Sequence, residues 1–66
     1  MYIIVAINTE TRQFFCAIEN DKIHAYVKLS SWINYDPHTM PLLREPIIAF
    51  IFNVTERAIE HWEIRK

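Results

Sequence analysis

The sequence predicts a mainly β protein, a small antiparallel sheet made of a three-stranded N-terminal meander plus one or two C-terminal strands. Two observations carry the prediction. Apolar runs rich in β-branched and aromatic residues, at 2–8, 13–19 and 46–53, are separated by short polar breaks, and residues 23–29 alternate apolar with polar at the period of a strand. An α+β arrangement with a C-terminal helix packed on the sheet is the alternative.

The elements follow in order. Residues 2–8 and 13–19, with Thr9-Glu10-Thr11-Arg12 between them, read as a hairpin. Asn20-Asp21 then reads as a tight turn into a third strand at 22–29, because Asn and Asp tolerate the left-handed backbone better than other residues with a side chain. With two-residue loops at Glu10-Thr11 and Asn20-Asp21, Val5 faces Cys16 and Ala25, Ile7 faces Phe14 and Val27, and Ile3 faces Ile18 and Ile23. One sheet face is then wholly apolar. The other carries Tyr2, Ile4, Ala6, Phe15, Ala17, His24, Tyr26 and Lys28, and needs a cover.

Ser30 to Pro46 contains all three prolines and reads as a long connection, with Ser30-Ser31 capping a short helical turn through Tyr35. Pro46 to Asn53 has the composition of a buried strand. The tail from Ala58 alternates as a strand reached through an Asn53–Glu56 turn; the rival reading makes Asn53 the N-cap of a helix carrying Val54, Ala58 and Trp62 on one face. No internal repeat is visible.

Sixty-six residues make a single domain, 1–66, whose core is thin for its surface. Such a core roughly balances chain entropy, so a partner is expected, and a homo-oligomer, a dimer, is the simplest. Cys16 is the single cysteine, which rules out an intramolecular disulfide and points to a reducing, cytoplasmic setting. The apolar runs are too short for a membrane helix. Net charge is −1 and the cations are scattered, so nucleic acid is not favoured as a partner.

The chain has no glycine, where average usage would supply about four or five. Glycine alone enters positive φ without steric cost and lets backbone approach a phosphate. Phosphate-cradling loops, the dinucleotide fingerprint and the nucleophile elbow are therefore absent as motifs. The remaining candidates for chemistry each have a simpler reading. Cys16 and His24 point to opposite faces in the expected register, so Cys16 is expected as a buried apolar residue. Asp36 and His38 form only an i, i+2 pair, and no metal or cofactor is expected. Glu56, Glu60 and Glu63 interleave with Arg57, His61 and Arg65 as a solvated charged face. Asn53-Val54-Thr55 matches the glycosylation sequon incidentally.

What remains is a surface. Tyr2, Ile4, Phe15, Tyr26, Trp32 and Tyr35 are the aromatic and branched side chains expected to form a protein interface. No catalytic residue is assigned, and the expected function is that of a non-enzymatic, oligomeric inhibitor or regulator that binds a larger macromolecule. The alternative is a β-sheet domain for single-stranded nucleic acid or nucleotide, with Phe15 and Tyr26 stacking bases beside Lys28. In size and lack of catalytic signature the chain resembles the short accessory proteins that bacteriophages encode for anti-defence or host takeover, a resemblance of class that no motif carries.

Overall fold

The computed structural model describes residues 1–34 and 43–66. The chain runs β1 (Tyr2–Asn8), β2 (Phe14–Glu19), α1 (Lys22–Ile33), β3 (Ile47–Asn53) and β4 (Ala58–Arg65). The four strands form one open sheet in the order β2-β1-β3-β4, with each neighbouring pair antiparallel. The fold is mainly β as the sequence predicts, with one helix added. The nearly unbroken apolar runs, β1 and β3, take the central places, where both faces lie away from a sheet edge. Because β2 and β3 both pair antiparallel with β1, they run parallel to each other, and α1 carries the chain across β1 on one side of the sheet.

The third meander strand expected at 22–29 is instead helix, so the alternation there misleads. Ala25, Leu29, Trp32 and Ile33 are buried at i, i+4, i+7 and i+8, one face of a helix. Ile23 and Val27, the other half of the apparent strand pattern, are 71% and 60% exposed. Asp21 is the helix N-cap rather than a turn residue; its side chain accepts from the Ile23 N–H at 3.3 Å, and its carbonyl accepts from the Ala25 N–H at 3.0 Å. Ser30 and Ser31 lie inside the last turn, where the Ser31 hydroxyl donates to the Lys28 carbonyl at 2.7 Å.

The two hairpins are built alike. In the first, Asn8 Oδ1 accepts from the backbone N–H groups of Glu10 and Thr11, both at 2.9 Å, and Arg12 takes φ 65°. In the second, Asn53 Oδ1 accepts from the Glu56 N–H at 3.1 Å, and Arg57 takes φ 53°. Each hairpin thus places an Asn clasp four positions before a left-handed Arg. The turns bend without glycine by a route the sequence reading misses: asparagine supplies the hydrogen bonds and arginine bears the positive φ. The first hairpin keeps the expected register, Tyr2 opposite Glu19 through Ile7 opposite Phe14, across a longer loop than expected.

The core lies between α1 and the sheet. Ile4, Ala6, Ile47, Ala49 and Ile51 from the strands meet Ala25, Leu29, Trp32 and Ile33 from the helix, with Leu43 beside them. Asn8 and Asn53, 5% and 8% exposed, are the buried polar residues among those described, and both amides are bonded at each end: Asn8 Nδ2 donates to the Arg44 carbonyl at 2.7 Å and Asn53 Nδ2 to Glu60 Oε1 at 2.8 Å. Asn53 is therefore a structural clasp rather than an available glycosylation site. The C-terminal segment is strand, as the favoured reading has it. A bulge opposite Ile51 and Phe52 makes Glu60 the extra residue of β4 and shifts the alternation, so Ile59 joins Trp62 and Ile64 on the face away from the helix.

Candidate functional site

The residues expected to form an interface lie mostly inside. Ile4 and Trp32 are buried in the core, and Tyr2, Phe15 and Tyr26 pack against it half-buried. The Phe15 and Trp32 rings are 5.6 Å apart, and Tyr26 lies 5.4 Å from the His61 ring. Tyr35 falls outside the described residues. The physical reason is α1 itself: the face that needed a cover receives one from residues 22–33, so its aromatics become core contacts. The expected stacking platform is likewise not assembled, since Phe15 sits under Trp32 while Tyr26 and Lys28 are on the helix.

The other sheet face has no such cover among the described residues. The register sets out its side chains in three rows running across β2, β1, β3 and β4. One row is Phe14, Ile7, Ile48 and Ile64; the middle row is Cys16, Val5, Phe50 and Trp62; the third is Ile18, Ile3, Phe52 and Ile59. Every position is apolar. The sequence reading finds the β2 and β1 columns of this face, but completes them with residues 23–27 instead of β3 and β4. Cys16, expected to be buried, is exposed here. Phe14, Ile18, Ile48, Ile59, Trp62 and Ile64 are each 40–65% exposed. Crediting each with about 200 Å² when fully open, these six leave roughly 700 Å² of apolar surface in water. Patches on monomers rarely exceed ~300–600 Å².

The charged side chains of the sheet are segregated to the helix side, where they fasten the β4 edge to α1. Lys22 Nζ lies 3.3 Å from Glu60, and Arg65 donates to the Ile33 carbonyl at 2.9 Å, to Asn34 Oδ1 at 2.8 Å and to Glu63 at 2.9 Å. Hydrogen bonds from Asn53 and then Lys22 hold the Glu60 carboxyl below its ordinary value. Glu63 is held low by its hydrogen bond with His61, 3.0 Å away, and then by Arg65. These groups act as clamps. Cys16 and His24 lie on opposite sides of the sheet, and His24 instead meets Asp21 at 3.2 Å on an exposed helix end. Among the described residues, no group of three or more His, Cys, Asp or Glu is placed to hold a metal, and no helix is long and apolar enough to cross a membrane.

The arrangement is a broad apolar lattice with the charges of the sheet behind it. Comparisons of the chain with protein-family models, with curated proteins and with solved structures return no match.

Proposed function

We propose that this protein works by binding protein rather than by catalysis, and that the open face of the sheet is its binding surface. The observation that supports this is the lattice of three apolar residues from each of four strands, free of charge and with six of its side chains leaving somewhat more apolar surface in water than a monomer usually does. Large aromatic anchors with flanking branched residues are the composition of interface centres, and Trp62, Phe14 and Phe50 supply them. A module of this kind regulates or inhibits a larger macromolecule by occupying an apolar surface on it, in the reducing compartment that a free, exposed cysteine favours. The nucleic-acid reading has less support, because the aromatics of the open face have no cation among them to meet phosphate.

Affinity capture from the native cell tests the reading with three forms of the chain. The wild type and Ile23→Glu, altered on the exposed outer side of α1, should retain the same captured protein, and Trp62→Glu should lose it. Capture indifferent to Trp62→Glu refutes the open face as the binding surface.

A further inference from the structure

We infer that the open face is closed by a second copy of this chain, sheet against sheet, about a two-fold axis running along the strands between β1 and β3. The inference rests on the protein-binding reading above and names the first occupant of that surface. Area is the first argument. The roughly 700 Å² exposed by six side chains is close to the ~800 Å² that each partner contributes to a standard stable interface. Two such faces together reach about 1,400 Å², within the standard class.

Charge is the second argument. An occupant carrying ions across its contact surface would strand them against a lattice that offers no counter-charge and, apart from the Trp62 indole N–H and the weakly donating Cys16 thiol, no hydrogen-bonding side chain. A second copy presents a surface equally broad and equally free of charge. The fastenings that involve Glu60, Glu63 and Arg65 lie on the helix side and stay hydrated when the faces meet. Each chain carries a net charge of only −1, so repulsion between copies is slight.

Shape fixes the axis. In the middle row the slim side chains, Cys16 and Val5, lie on one side of the β1–β3 seam, and the bulky ones, Phe50 and Trp62, on the other. A two-fold along the strands lays Trp62 of one copy over Cys16 of the other and Phe50 over Val5, with the remaining aromatics over isoleucines. Large meets small, as close packing requires. A two-fold across the strands would set Trp62 on Trp62 and leave a gap at Cys16. The modest crossing angle of aligned sheets, about 30°, preserves these pairings near the centre.

Sedimentation of the full chain, combined with alkylation of Cys16 by N-ethylmaleimide, tests the inference. The wild type should sediment as a dimer that dissociates on dilution, and Cys16 should react more slowly at concentrations where the dimer forms. Trp62→Glu should weaken the dimer roughly 30-fold or more and make alkylation independent of concentration. Ile18→Glu, at the opposite edge of the lattice, should do the same; Ile23→Glu should leave both readouts unchanged. A monomer at about 100 µM, a dimer indifferent to both open-face variants, or a Cys16 equally reactive at every concentration overturns the second copy. A short bismaleimide that joins Cys16 to Cys16 overturns the axis, because the pairing places the two thiols roughly 15 Å apart across the strand spacings. The two readings fail separately. A wild-type monomer whose captured protein is still lost in Trp62→Glu overturns the second copy alone, whereas a dimer whose captured protein survives Trp62→Glu overturns only the binding of another protein through this face.

Discussion

Replacing Asn8 by alanine tests whether the hairpin clasps hold the fold together. The Asn8 amide makes three hydrogen bonds: it accepts from Glu10 and Thr11 at 2.9 Å each and donates to the Arg44 carbonyl at 2.7 Å, from a site 5% exposed. The two loop N–H groups can turn to water, so each bond is worth about 0.5–1.5 kcal/mol net. The Arg44 carbonyl, part-buried at the contact, loses its side-chain donor, which costs about 1–3 kcal/mol. Allowing for partial relaxation, Asn8→Ala should destabilise by about 2–4 kcal/mol, a fall in Tm of roughly 10–25 °C for a domain of this size. Asn8→Asp retains both acceptor bonds but sets a carboxylate oxygen against the Arg44 carbonyl in a buried site, and should lose at least about 1–3 kcal/mol. Urea unfolding followed by far-UV circular dichroism measures both, at one fixed protein concentration because dimer formation adds a concentration-dependent term. A loss below about 0.5 kcal/mol in Asn8→Ala would refute the clasp as a source of stability.

Glycine in place of Arg12 or Arg57 should stabilise by about 0.5–1 kcal/mol each, since relief of the left-handed strain exceeds the added chain entropy; thermal melts of the single and double variants check this. Arg65→Ala removes the bonds from β4 to the C-terminal end of α1 and should cost about 1–2 kcal/mol, with faster amide hydrogen exchange in β4 than in β1. Acid should weaken the fold through Glu63. Its carboxyl is held low in the folded chain by His61 and then Arg65, so its contribution is complete above the ordinary carboxylate range and disappears as pH falls through the folded value. Tm should therefore drop on acidification into that range, and Glu63→Gln should show a flatter acid limb; identical limbs in the two proteins would remove Glu63 from the account.

The register of the hairpin β1–β2 is legible, though the length of its loop is not, because two β-branched or aromatic runs flanking a polar stretch admit one register that keeps Ile3, Val5 and Ile7 opposite Ile18, Cys16 and Phe14. β3 and β4 are legible in kind. Residues 22–33 are not, since Ile23, Ala25, Val27 and Leu29 satisfy a period of two as well as the helical contacts of Ala25 and Leu29 do, and only Trp32 and Ile33, read past the serines, decide for the helix. That one substitution of helix for strand exchanges inside and outside. It turns Tyr2, Ile4, Phe15 and Trp32 into core contacts and leaves Phe14, Cys16 and Ile18 exposed. The β4 bulge hides the last column, because a strict alternation from Ala58 separates Ile59 from Trp62 and Ile64. The repeat of the clasp, Asn8 to Arg12 and Asn53 to Arg57, is present in the sequence as NTETR and NVTER, and becomes recognisable once the backbone shows what the two ends do.

Two hairpins with matching turns also divide the sheet into local and long-range pairings. The local pairings, β1 with β2 and β3 with β4, each span a short loop, and a two-stranded hairpin is at best marginally stable without further strands. The long-range pairing is that of β1 with β3, from Tyr2 opposite Asn53 to Asn8 opposite Ile47, between segments far apart in sequence. The lattice straddles that seam, so the open apolar face does not exist in either hairpin alone: it depends on the pairing of β1 with β3.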